Sequence, residues 1–223
     1  MTASIYEVMI NMDVQIIAAA ISAAVAATIG VMTWANSRAN LKERRISEKR
    51  RSLAKKLNEF YGPLISYLNI TKSLRNILDS NKPPEFRTLT HLLDPEQEYN
   101  VGANKIKVEL TESDRMIISE IVEIERKIED LIVEKGGLVE DKRLMFDYYE
   151  GTEFKPYHPT TISSTSLANL ITHFRVLRLA FEGKIAGEVE RYKSFVFPRE
   201  TVKLIHENYE RLHRELEALN NDS

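Results

Sequence analysis

Residues 14–37 read VQIIAAAISAAVAATIGVMTWANS, 24 positions without a charge between Asp13 and Arg38. A hydrocarbon core of roughly 30 Å takes about 20 mostly apolar residues in a helix, and in lipid a helix satisfies its own backbone groups. The stretch predicts a transmembrane helix, with residues 1–13 as a short extracytoplasmic leader. A buried helix of a soluble bundle is the competing reading. Trp34 near one end, Glu7 and Asp13 before the stretch and the basic residues after it favour the bilayer. The first Lys or Arg is Arg38, so the positive leading region of a cleaved signal peptide is missing.

Residues 31–61 hold neither Gly nor Pro, which predicts that the helix continues as a basic helical stalk over residues 38–61. Ile46, Leu53 and Phe60 recur every seven positions with Leu57 and Leu64 between them, the spacing of a coiled-coil seam. In Phe60-Tyr61-Gly62-Pro63-Leu64 the proline removes a hydrogen bond and crowds the preceding turn, so a kink or joint belongs there. Leu64, Leu68, Thr71, Leu74 and Leu78 continue a helical face until Asn81-Lys82-Pro83-Pro84. Residues 85–93 suggest a short helix, and 94–109 a connection with a short strand at 105–110.

Thr111 offers an N-cap with acidic first-turn residues after it. Ile117, Ile121, Ile124, Ile128 and Leu131 then step 4-3-4-3, an amphipathic helix ended by Gly136-Gly137. Residues 142–150 suggest another short helix. The aromatic and proline-rich residues 151–161 read as a loop across helix ends in preference to a binding lip. Ser164 or Thr165 opens a helix with Leu167, Leu170, Phe174, Leu177, Phe181 and Ile185 on one side. Phe197-Pro198 opens the last, where Val202, Ile205, Tyr209, Leu212, Leu216 and Leu219 form a seam for a partner helix, within the subunit or across an oligomer. The expected fold is all-α: a transmembrane helix, its stalk, and an antiparallel cytoplasmic helical bundle over residues 62–223.

Charge sets the expected orientation. Residues 38–56 carry nine basic and two acidic side chains, a net +7, in a chain whose net charge is −2. Basic flanks stay in the cytoplasm, which places the amino terminus outside and the body inside. Arg38, Lys42, Arg44, Arg45, Lys49, Arg50 and Arg51 are the expected contacts to anionic lipid, each worth about 1 kcal/mol near the surface. Nucleic-acid binding is disfavoured, because no aromatics or recognition motif interleave with them. Within the apolar tract Ala19, Ala23 and Ala27 form one row of small residues and Ser22, Ala26 and Gly30 another, spacing that lets helices pack closely in lipid. On this topology the Asn69-Ile70-Thr71 acceptor would not be reached by glycosylation.

Zero cysteines exclude disulfides, thiol nucleophiles and cysteine metal sites. No phosphate-cradling glycine loop, HExxH or nucleophile elbow occurs, so no catalytic residue, cofactor or metal is expected. His206 and His213 lie seven apart beside the last seam; a metal or pH-sensing pair is weighed against ordinary polar flanks, and the flanks are preferred. Glu120, Glu123, Glu129 and Asp130 read as a solvated helix face.

Phe60 to Leu64 as an "FYGPL"-type motif, Phe197-Pro198 opening a helix with Tyr209 and Leu212 later in it, and LIVEKGGLVE after the Ile-rich helix together resemble a widespread group of uncharacterised bacterial single-pass membrane proteins. The group has one amino-terminal membrane helix and a charged stalk, and no assigned activity. The resemblance implies a fold and an inner-membrane location, and no chemistry. The expectation is a non-enzymatic scaffold that homo-oligomerises or recruits a protein partner at the cytoplasmic face of the bacterial inner membrane. The alternative is a membrane-perturbing effector, for example in phage defence, whose cytoplasmic domain controls assembly of the transmembrane helices.

Overall fold

The computed structural model describes residues 2–102, 104–145, 166–192 and 197–221; within the first helix, side chains are described from Ser22 onward, Ala24 and Val25 excepted. The expected helix at 142–150 and the loop at 151–161 therefore lie largely or wholly outside the described residues. The chain forms two compact units, residues 1–51 and 52–223. It is mostly helical, as the apolar spacing predicts, with one two-stranded hairpin among the described residues.

Helix α1 runs Thr2–Lys56 without a break. The residues from Ser52 on belong to the second unit, so Leu53, Leu57 and Phe60, read in sequence as stalk, are core residues 4%, 6% and 0% exposed. Ile46, the next seam position back, is only half-buried.

The joint at Gly62-Pro63 is a π-helical turn over Leu57–Tyr61. Lys56, Tyr61 and Gly62 keep right-handed helical dihedrals, and the Gly62 N–H donates to the Leu57 carbonyl, five residues back. Pro63, early in α2 (Gly62–Asp79), has no N–H to offer the ladder. Widening the turn by one residue passes that gap inside continuous helix, the usual form of a π-bulge. Phe60 and Tyr61 both face inward there and meet edge to face, their ring centroids 5.0 Å apart. Burial pushes the Tyr61 phenol up to about 12.

Leu64, Leu68, Thr71 and Leu78 continue the buried face of α2, with Leu74 half-buried. The Pro83-Pro84 stop is followed by α3 (Thr88–Leu93) and by strands β1 (Glu98–Val101) and β2 (Asn104–Lys107). These pair antiparallel with Tyr99 opposite Ile106, and Gly102 takes φ +62° at the turn. Tyr99 is the one strand residue that is buried, against Phe86, Val108 and the ring of His91.

Helix α4 (Glu112–Lys135) starts with a reciprocal capping box. Asp114 N–H donates to Thr111 Oγ1 at 3.1 Å and Thr111 N–H to Asp114 Oδ2 at 2.9 Å, satisfying two otherwise orphan donors. The same Oδ2 accepts from Lys82 Nζ at 2.7 Å, and both side chains are under a tenth exposed. Burial raises the Asp114 carboxyl, but Lys82 and the Thr111 donors outweigh it and leave it below the usual carboxylate range. α4 packs on both α2 and α5 (Leu167–Phe181). Its buried stripe is Ile118, Ile121, Ile124, Ile128 and Ile132, while Ile117 and Leu131 sit half-buried at the edge.

Ser166, not Ser164 or Thr165, caps α5: its Oγ accepts from the Asn169 N–H. A short α6 (Val189–Tyr192) precedes α7 (Arg199–Asn221), and Asn208 of α7 donates to Asp141 Oδ2 at 2.8 Å. The main core gathers Leu57, Phe60, Tyr61 and Leu64 with Ile128 of α4, Phe174 of α5 and Ile205 of α7.

A β-carbon built on Gly62 would stand 2.8 Å from the Leu57 carbonyl oxygen, an atom held in the π-turn by the Gly62 N–H. Gly62→Ala is expected to cost about 1–3 kcal/mol, like other overpacked sites, read as a lower Tm in a thermal melt. Gly136→Ala is the control, since a β-carbon there meets nothing within 4 Å and φ is −56°. Equal melting of the two variants would show that the carbonyl moves aside freely.

Candidate functional site

Two features of the described residues stand apart from ordinary core and surface. The first is the exposed apolar surface of α1. Ile29, Val31, Met32 and Trp34 are 57–66% exposed. At about 100° per residue they point around the circumference and do not line up as one stripe. A single seam would instead gather the apolar positions on one face. Of the small residues expected to pack in lipid, Ser22, Ala23, Ala26, Ala27 and Gly30 are exposed, and a β-carbon on Gly30 would meet nothing within 4 Å. Ala19 lies outside the residues whose side chains are described. Among the described residues no helix is long and apolar enough to cross a membrane; the side chains at 14–21, 24 and 25, nearly half of the uncharged tract, lie outside them.

Past the tract, Arg38 stacks its guanidinium 4.1 Å from the Trp34 ring centroid, a cation–π contact one helical turn apart. Lys42, Arg44, Arg45, Lys49 and Arg51 are exposed and Arg50 is half-buried. Lys56 already belongs to the second unit and pairs there with Glu140.

The second feature is a set of charges inside the second unit. Glu125 is 1% exposed and takes Arg75 Nη2 on Oε1 at 2.8 Å, joining α4 to α2. Glu129, one turn on and 6% exposed, takes Arg175 Nε at 3.1 Å and Arg178 Nη1 at 2.8 Å, joining α4 to α5. Glu129 is thus not on a solvated face as its spacing suggests, while Glu120, Glu123 and Asp130 are. The sequence held a signal for both: Glu125 and Glu129 are four apart and interrupt the run Ile121, Ile124, Ile128, Ile132 on its own side. Each cation binds its carboxylate directly, which suits holding three helices in register.

The seam of α7 packs within the subunit. Ile205 and Leu212 are buried in the main core, and Val202, Tyr209, Leu216 and Leu219 rest half-buried against it. The inward face also holds Thr201, Leu204 and Asn208, beyond the residues that the spacing picks out. His206 is half-buried, and exposed His213 has Nδ1 3.4 Å from Glu217 Oε1. Among the described residues no three His, Asp or Glu side chains gather as metal ligands.

Burial raises the Glu125 carboxyl to about 7 against the pull of Arg75, and its Oε2 has no partner. Unfolded, the group ionises near 4.5; folded, it keeps its proton to about 7. Between those values the folded state binds more protons, so stability falls as pH rises and levels off above about 7. At 1.36 kcal/mol per pKa unit the full change is about 3 kcal/mol. Glu125→Gln is expected to flatten that part of the stability profile in urea titrations from pH 4.5 to 8. An unchanged slope would assign the pH dependence to other groups.

No protein-family model, curated protein or solved structure matches the chain.

Proposed function

We propose that the chain is a single-pass membrane protein of the bacterial inner membrane, with its amino terminus outside and residues 52–223 as an antiparallel helical bundle in the cytoplasm. It acts without catalysis, as a scaffold that homo-oligomerises or recruits a protein partner at the membrane face. The observation that carries the reading is the all-round exposure of Ile29, Val31, Met32 and Trp34 at the end of a 24-residue uncharged tract. The resemblance to the uncharacterised single-pass group points the same way.

Lipid is the medium that would cover such a helix on every side, since a single partner helix covers one stripe. The exposed Lys42, Arg44, Arg45, Lys49 and Arg51 would then meet anionic headgroups, and Trp34 with its stacked Arg38 suits the boundary between acyl chains and water.

A second reading, the membrane-perturbing effector, is favoured by one feature. Ser22, Ala23, Ala26, Ala27 and Gly30 form exposed small-residue rows with open space at Gly30, the surface that close helix association in lipid uses.

After induced expression the chain is expected to stay in the membrane pellet through an alkaline carbonate wash, and a variant lacking residues 1–37 to leave it. Release of the intact chain by carbonate would overturn the anchor and both readings. Dye leakage on expression of the intact chain, abolished by Ala23→Leu or Gly30→Leu, would select the effector. A tight membrane, with the truncated body keeping the same oligomeric state, would select the scaffold.

A further inference from the structure

A groove of about 650 Å³ opens on the second unit between α2, residues 86–88 and the first two turns of α7. That volume is within the range of roughly 300–1,000 Å³ that small-molecule sites take. Leu68, Phe86, Phe197 and Val202 give it apolar walls. Lys72, Arg75, Arg87, Arg199 and Lys203 bring five cations to its lining, against one carboxylate, Asp79.

Exposed cations alone are common on protein surfaces; here the buried polar atoms set the groove apart. Arg75 is engaged with Glu125, and Arg87 donates to the Pro84 and Phe86 carbonyls. Among the described residues Lys72, Arg199 and Lys203 have no carboxylate within ion-pairing distance. Thr71 lines the groove, is 2% exposed, and its hydroxyl has no hydrogen-bond partner. Thr33 and Thr172, on α1 and α5, both turn their hydroxyls back to the carbonyl four residues earlier, at 2.8 Å. Thr71 forgoes that bond. Arg75 Nε, also a groove residue, is likewise buried without an acceptor. A buried donor left unmade costs about 1–3 kcal/mol, and the few orphans in a native interior call for a water, an ion or a ligand.

Two orphan donors and three unpaired cations around an apolar slot ask for a ligand with several anionic oxygens and a less polar body. We propose that this groove binds a small organic phosphate, its phosphate oxygens taken by Thr71, Lys72, Arg199 and Lys203 and its organic part lying against Phe86 and Phe197. Arg199, Val202 and Lys203 come from the first turns of the 23-residue helix α7, whose positive end adds to the attraction for an anion. The groove is built entirely within residues 68–206, so the inference stands whether or not α1 enters lipid.

The test is titration calorimetry of the full chain in detergent at fixed ionic strength, with pyrophosphate, ATP and a short-chain phosphatidic acid as probes. Saturable binding of at least one probe is expected, weakened at least tenfold by the Arg199→Ala/Lys203→Ala pair. Thr71→Val removes an unpaired hydroxyl at nearly constant volume, so it is expected to weaken binding severalfold while the melting temperature of the free protein holds or rises. ATP or pyrophosphate binding would assign the site to a soluble phosphate, and phosphatidic acid alone to a lipid headgroup. Absence of saturable binding by all three probes would overturn the proposal. So would affinity unchanged in the Arg199/Lys203 pair, which would trace the signal to the basic run of α1.

Discussion

The Gly62 N–H reaches back five residues to the Leu57 carbonyl, and the core of the second unit is arranged around that turn. Pro63 cannot donate a hydrogen bond, and an unpaired carbonyl inside a packed core is costly. The π-turn absorbs the missing donor while the chain stays helical, and Phe60 and Tyr61 are both held inside. Against them pack Ile128 of α4, Phe174 of α5 and Ile205 of α7, so elements far apart in sequence share one apolar cluster. A side chain at position 62 would press on the carbonyl that completes the turn. Glycine and proline adjoin here for one mechanical reason.

Charge adds register to that apolar cluster. Apolar contacts are non-directional and would tolerate small slides of one helix along another. The pairs Arg75–Glu125 and Arg178–Glu129 do not, because each fixes a carboxylate oxygen at 2.8 Å from a guanidinium nitrogen. Burying such pairs brings little net stability; their effect is to choose one alignment of α2, α4 and α5. Arg75 also holds its guanidinium 5.4 Å from the Phe197 ring centroid, so the pair that aligns α2 with α4 steadies the residue leading into α7.

Much of this was legible in the chain itself, and the exceptions have physical causes. The N-cap at Thr111, the stop at Pro83-Pro84 and the start at Phe197-Pro198 are local, decided by neighbours in sequence, and could be read there; that Asp114 closes a reciprocal box on Thr111 is seen only in the structure. Residues 105–110 read as a strand and 104–107 form one, but its partner Glu98–Val101 lies in a stretch of mixed polar residues with no period of its own, and only the pairing makes it a strand. Glu129 reads as surface from its charge, although it stands on the side of the Ile stripe, because the two arginines that pair with it lie 46 and 49 residues away. The groove was invisible for the same reason: Thr71 looked like an ordinary face position, and the cations around it come from three separate segments.

Asp114 shows how far one atom can restrict what a chain tolerates. Its Oδ2 is shared between the Thr111 N–H, which begins α4, and the Lys82 ammonium, which closes the loop after α2. Asparagine would keep an oxygen for the cap but strand a shielded positive charge; glutamate would keep the charge but carry it a methylene past the N–H. Neither half of the position can be exchanged alone, and drift there would require a simultaneous change at residue 82.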